Sequence, residues 1–509
     1  MARASLVIHV FAATEFCSRA RPQQAGSFLR AVWDGCVTRL GMGVPALPGI
    51  GTDFPAEPAW AGTLRLRAAV EDPGRSGQFQ ALLYSVHDVT GVAVVLDPGP
   101  GWSWAELERL WDDAVPAPPA APSVPGLLGT VRVHRVLHPA SPLPDASLTD
   151  ALLELRQDLG MTAGAAVQPL PPESWVRTTA GFALCEVLPG GATEAGGDRR
   201  LLALAPESRE VAFDCWSWVD GTSALVPLTR YLLHAGKLRY EAGVHARSQE
   251  ASQRAQVAVD AQVERLTELY PQVVTGRVAT ARLLDASVEL ARLQGHSAGL
   301  IASLGRVRAM RRTVQIAESN MTAALAGSID GQPVGFLAHD RRTATALSEH
   351  LDDTAAYLEV THQRADETAR ITGDLVRERL QRRREQLTQL QTSFLGSLLM
   401  ALAAIQGLEY ELPLPGSLQP PLILLLAGLA LALPGTALRW GAAETPDGLG
   451  RAVDRVGLSA ACAAFGWLVA GLVHLTLYHQ PAPVWSAAGA AVLATAAQRA
   501  VAAYRGRRG

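Results

Sequence analysis

The chain has 509 residues, with 45 basic and 48 acidic side chains and a formal net charge of −3, which leaves room for several domains and gives no reason to expect a nucleic-acid partner. Its five cysteines (Cys17, Cys36, Cys185, Cys215, Cys462) are odd in number and never spaced as CxxC, so they point to neither a disulfide framework nor a zinc knuckle. Lys237 is the only lysine and no glycine-rich loop precedes it; without a G-x-x-x-x-G-K-[ST] phosphate loop, no cofactor is expected.

At the N-terminus SLVIHVF reads as a strand rather than a secretory signal. His9 interrupts the apolar run, only Arg3 precedes it, and Thr14-Glu15-Phe16 stands where a cleavage site needs small residues. Next, Phe28, Leu29, Val32, Trp33, Val37 and Leu40 recur at helical spacing and predict an amphipathic helix stopped by Gly41. A proline-rich loop, residues 41–60, leads to strands FQALLYSVH and GVAVVL, turned at His87-Asp88, and then to a helix beginning GWSWAELERLW. After the linker 115–126, a second pass offers strand GTVRVHRVL, helix LTDALLELRQDLG, strands GFALCEVL, RLLALA and EVAFDCW, and a helix from about Ser223. Residues 1–225 thus read as an α+β region of two related β-α-β-β-α halves, about 1–114 and 127–225. Each half carries a W-S-W between strand and helix, and Trp102, Trp104, Trp216 and Trp218 are read as structural aromatics burying apolar area.

Residues 226–391 read as a helical stalk of three long helices, with turns at TELYPQVVTG and SIDGQPVG. In the middle helix Leu290, Leu293, Leu300, Leu304, Val307, Met310, Val314, Ala317 and Met321 follow coiled-coil spacing. A thinner stripe, Leu347, Leu351, Ala355, Leu358, Ala365, Leu387 and Leu390, marks the third, and such stripes suit either a packed bundle or a homo-oligomer formed through the stalk.

Residues 392–509 read as an α-helical membrane domain. No charge lies between Glu385 and Glu409, an interval of about 23 residues that at about 1.5 Å each matches a hydrocarbon core of about 30 Å. With the three later apolar stretches, four transmembrane helices are expected, at about 388–408, 418–438, 456–478 and 484–504. Their flanks alternate in charge. Arg377, Arg379, Arg382, Arg383 and Arg384 precede the first; Arg439, Arg451 and Arg455 lie between the second and third; Arg505, Arg507 and Arg508 follow the fourth; the other two loops have no basic residue. This predicts a multi-pass inner-membrane protein with both termini cytoplasmic and the five-arginine cluster at the inner face. Glu409 and Glu411, at the outer end of the first span, are either pore-mouth carboxylates or parts of a solvated loop.

For chemistry, His87-Asp88 offers an acid–base pair, and Cys36, Cys185 or Cys215 with His9, His87, His134 or His138 offers a nucleophile and its base. Turn chemistry and burial are the competing readings, and no local cysteine-protease signature occurs. No catalytic or metal-binding residue is assigned, and an enzyme is not expected.

SLVIHVFAATEF, AVWDGCVTRLG, LLYSVHDVTGVAVVL and GWSWAELERLWDDA together resemble the N-terminal domain of the CATRA family, named for association with caspase-like and TPR-repeat proteins; the helical zone would correspond to its C-terminal partner domain. The resemblance implies a part in a bacterial conflict system that couples invader sensing to an effector, with caspase-like or TPR-containing proteins as partners and no catalytic residues to carry over. The arrangement of a cytoplasmic domain, long helices and a last helix continuing into the first span also looks like the CorA-type cation channels. Those carry Gly-Met-Asn at the outer end of that span, where this chain has Gly407-Leu408-Glu409. The expected function is therefore a membrane-anchored, non-enzymatic immunity component whose stalk couples a soluble domain to an anchor or pore. A CorA-like cation channel is the alternative and a cysteine hydrolase the third reading.

Overall fold

Strand β1 (Arg3–Ala13) is buried continuously from Ser5 to Ala12, as a strand must be when both of its faces are covered. It lies inside a mixed sheet in a computed structural model that describes residues 3–17, 23–56, 60–117, 124–161, 174–187, 199–218, 224–329, 331–410, 415–441 and 448–506. The other strands are β2 (Val44–Pro45), β3 (Ala61–Glu71), β4 (Gln78–His87), β5 (Val89–Asp97), β6 (Leu127–His138), β7 (Val176–Arg177), β8 (Ala183–Glu186) and β9 (Arg199–Pro206). Among the described residues they form one sheet in the order β2-β3-β4-β5-β1-β6-β9-β8-β7.

Helices α1 (Gln24–Thr38), α2 (Trp104–Ala114) and α3 (Asp145–Asp158) join the sheet face of Leu6, Ile8 and Val10 in one apolar core with Leu29, Trp33, Leu107 and Leu152. The start of α2 is fixed by a capping box between Ser103 and Glu106, and Asp158 of α3 accepts hydrogen bonds from the Trp104 and Ala105 amides. Gly35 lets α1 approach the end of α2, since a Cβ there would stand 2.4 Å from the Ala114 carbonyl oxygen. Gly35→Ala should therefore lower stability by about 1–3 kcal/mol, read as a shift in the urea midpoint, whereas an open site such as Gly43 should tolerate the same change.

The first half follows the expected order with two additions. β3 occupies a stretch left unassigned in sequence, and the expected loop 41–60 contributes the short edge strand β2, whose Pro45 suits an edge. In the second half, EVAFDCW is helix α4 (Glu210–Ser217), not a strand. Its buried residues Phe213, Trp216 and Ser217 are three and four apart while Val211 faces solvent, so the period is helical. The halves share strand order outward from the centre, β1-β5-β4-β3 and β6-β9-β8-β7, but β5 runs antiparallel to β1 while β9 runs parallel to β6. They are therefore related in order and not in strand direction.

Four helices follow where three were expected: α5 (Pro227–Val274), α6 (Thr280–Gly295), α7 (Leu300–Ala324) and α8 (Gly335–Tyr410). The expected middle helix is interrupted after Gly295, where Gly299 packs so close to the Leu293 and Gln294 carbonyls that no side chain fits. The predicted seam is buried within the single chain except at Leu293, which is half-buried, and of the third helix's stripe Leu351, Ala355, Leu358 and Ala365 are buried while Leu387 is exposed. Asp260–Arg364 and the His245–His350 ring contact run α5 parallel to α8, whereas Arg308–Glu359 and Arg311–Asp352 run α7 antiparallel to it.

The chain divides into two compact units, Met1–Glu268 with Val288–Thr368, and Leu269–Ser287 with Ala369–Gly509. The second contains α9 (Gln419–Gly441), α10 (Gly448–Tyr478) and α11 (Val484–Gly506), so a helix stands at each of the four expected spans. Among the described residues one segment, Arg455–Tyr478, is long and apolar enough to cross a membrane; Phe394–Gly407 and Gln419–Ala430 are shorter apolar stretches.

Candidate functional site

Two buried charge clusters flank the sheet. On the face covered by α2, Glu108 reaches down to Arg132 and His134 of β6. His134 Nε2 lies 2.8 Å from Glu108 Oε1 and its Nδ1 lies 3.2 Å from the Leu201 carbonyl, while Arg200 Nε is 3.6 Å from the same carboxylate and Arg132 also pairs with Asp112 at 2.9 Å. Burial disfavours a charge on Glu108, but the His134 hydrogen bond and the Arg132, His134 and Arg200 charges outweigh it and hold its carboxyl down at about 2. A carboxylate so committed fixes α2 on the sheet and is a poor proton acceptor.

On the opposite face the sheet meets the helical region. Arg199 of β9 makes two bonds to Glu186 of β8, at 2.8 and 3.2 Å, and a third to Asp340 of α8 at 2.9 Å. Tyr231 of α5 donates to Asp340 at 2.7 Å, and Arg239 of α5 reaches both Glu186 (3.3 Å) and Asp340 (3.2 Å). Phe336 lies under the Arg199 guanidinium, 5.1 Å from its centroid. Two cations and two anions cancel, which is the condition for holding four charges out of water. Burial opposes the charge on Asp340, but Arg199 and Arg239 hold its carboxyl below the usual range; burial and the adjacent Asp340 push the Tyr231 hydroxyl well up. This cluster locks α5 and α8 onto β8 and β9.

A third junction involves His87-Asp88. Its turn places His87 at a positive φ of 50°, and Asp88 pairs with Lys237 of α5 at 2.6 Å, so the predicted acid–base pair serves the turn and an interdomain contact. His9 is fully buried with neither ring nitrogen hydrogen-bonded, and desolvation lowers it to about 3. Cys17, Cys36 and Cys185 are buried, and desolvation pushes Cys17 up to about 11, Cys36 up to about 12 and Cys185 further, away from the thiolate a nucleophile needs; Cys215 is exposed on α4. Among the described residues no hydrogen bond joins a cysteine to a histidine, and no cluster of three or more His, Cys, Asp or Glu is arranged for a metal.

Trp104, Trp216 and Trp218 are buried, whereas Trp102 is 40 % exposed, because Ser103 begins α2 and leaves Trp102 outside it. The second W-S-W ends α4 and does not follow a strand. Glu411 lies outside the described residues, and Glu409 falls in the last turn of α8. Arg377 pairs with Asp374 at 3.0 Å, Arg382 with Glu378 at 2.6 Å, and Arg379 donates to the Val273 and Val274 carbonyls at 2.9 Å, closing the end of α5. Arg383 and Arg384 are exposed. The Glu108 and Arg199 clusters were not assigned in sequence; the signal available was charge inside strand patterns, V-R-V-H-R-V and D-R-R-L-L.

No curated protein and no solved structure matches the chain. The CASPASE and TPR Repeat-Associated N-terminal domain matches residues 5–221, and the CASPASE and TPR Repeat-Associated C-terminal domain matches residues 226–365. These matches meet at the junction held by Arg199, Tyr231 and Asp340 and cover well over half of the sequence: the chain belongs to the CATRA family.

Proposed function

We propose that the chain is a membrane-anchored, non-enzymatic component of a conflict system, in which the sheet domain binds a partner or signal and the helices couple it to a membrane domain. Membership of the CATRA family supports the conflict-system association. The anchor rests chiefly on the packing of the last three helices. Gly428 of α9 lies against Ala461 of α10, and Gly466 of α10 against the Ala490 carbonyl and Ala494 of α11. Small residues are inside, with Ala464 only 2 % exposed, while large apolar ones face out, Phe465 at 55 % among them. Soluble bundles do the reverse; close small-residue contacts with an apolar exterior are what lipid selects. The four spans and cytoplasmic termini follow from the arginine alternation of the loops. Protein partners of caspase-like or TPR-containing type are part of this proposal, and the family's description as caspase- and TPR-repeat-associated supports it.

Expressed in a bacterium, the full chain should stay in the membrane fraction through alkaline carbonate. A periplasm-active reporter should be silent when fused after Gly509 and active when inserted between Glu411 and Gly416. Release by carbonate overturns the anchor, and activity after Gly509 overturns the four-span topology.

A further inference from the structure

Val376 is the last buried residue of α8; from Arg377 to Gly407 no described side chain of the helix is buried. The helix thus leaves its packing partners at the arginine cluster. At about 3.6 residues per turn, Arg377, Arg379, Arg382, Arg383 and Arg384 spread over about 220° of its circumference, and Glu378, Gln381 and Glu385 complete the polar ring. An interfacial helix lying flat carries its charge on one face, so a polar ring fits a helix that passes through a charged layer.

Beyond the ring comes the uncharged interval to Glu409, in which Phe394 (66 % exposed), Leu395, Leu398, Leu399, Met400, Leu402 and Ile405 are uncovered. The arginines differ in commitment. Arg377 and Arg382 have carboxylate partners and Arg379 closes α5, whereas Arg383 and Arg384 are exposed and have no carboxylate partner among the described residues. The ring is net cationic even after Glu378 and Glu385, and the guanidinium fork suits bidentate contact with phosphate.

We propose that Arg383 and Arg384, seated within this ring, bind the phosphates of anionic phospholipids where α8 enters the bilayer, so that the protein selects its surrounding lipid by charge. The proposal rests on the membrane reading above and adds a lipid class to it. Its occupant is argued from charge complementarity and from the apolar helix that continues directly from the ring.

The test uses the full chain reconstituted into mixed phosphatidylcholine–phosphatidylglycerol vesicles, with spin-labelled versions of each lipid reporting its association with the protein. The wild type should prefer phosphatidylglycerol, the preference should weaken at high salt, and R383Q/R384Q should lose about 25-fold of it, at roughly fivefold per arginine. R383K/R384K should retain most of the preference, which separates charge from folding. Equal association of the two lipids with wild type overturns the proposal and leaves the anchor standing. Failure to float with vesicles of any composition overturns the anchor itself. If R383Q/R384Q changes only the oligomeric mass in detergent, the ring is a contact between copies and the lipid assignment falls.

Discussion

Asp340→Ala should destabilise the protein by about 3–5 kcal/mol, because Arg199 and Tyr231 lose their common partner and the buried cluster is left with a net positive charge. Hydrogen exchange on the full chain in detergent is the suitable readout, since a chain of two compact units need not unfold in one step. The amides of α5 near Tyr231 should lose protection, while those of the β4–β5 ladder change little. Arg199→Met combined with Asp340→Leu should recover most of the loss, because Glu186 and Arg239 still pair with each other and the two new side chains fill apolar volume. A double variant as unstable as Asp340→Ala would show that packing of α8, and not charge balance, holds the junction.

Glu108→Gln should cost about 3 kcal/mol at neutral pH, and its effect should depend on acidity in a defined direction. The Glu108 carboxyl is held at about 2, below its ordinary value of 4.5, so its contribution is fully present above about pH 4.5 and disappears as pH falls toward 2. The gap between wild type and variant, read from urea midpoints, should therefore be wide at pH 7 and close over that acid window. A gap that does not vary between pH 7 and pH 2 would place the cost in shape rather than in charge. The chemistry behind the magnitude is crowding of like charge: with a neutral amide at position 108, Arg132 keeps Asp112, but Arg200 and His134 lose the carboxylate they face.

How much of this was legible depended on whether the determining interaction is local. SLVIHVF, FQALLYSVH and GTVRVHRVL were recognisable as strands from their β-branched and aromatic residues, although His9, Gln80, Arg132, His134 and Arg135 interrupt the apolar runs. β3 was overlooked although Leu64-Arg65-Leu66-Arg67 alternates as a half-buried strand does. EVAFDCW was misread because seven residues are too few to separate a period of two from one of 3.6 when Val211 is apolar yet exposed. The break at Gly295–Gly299 was hidden because the apolar seam keeps its spacing on both sides. Trp102 and Trp104 looked equivalent, and only the position of the helix cap separates them. The Arg199–Asp340 pair, 141 residues apart, has no local signature at all. Conversely, helices stand where the four spans were expected, at α9, α10, α11 and the end of α8, although among the described residues only Arg455–Tyr478 is long and apolar enough to cross a membrane.

Lys237 gives the fold an unplanned probe. It is the only lysine in the sequence, and its Nζ sits 2.6 Å from Asp88, between the β4–β5 turn and α5. An amine-reactive reagent therefore finds a single side-chain target, and that target stands at the seam between the two CATRA domains. The rate at which it is labelled tracks how often the turn lifts from the helix. One residue thus turns ordinary protein labelling into a clock for interdomain opening, with no engineered cysteine or fluorophore.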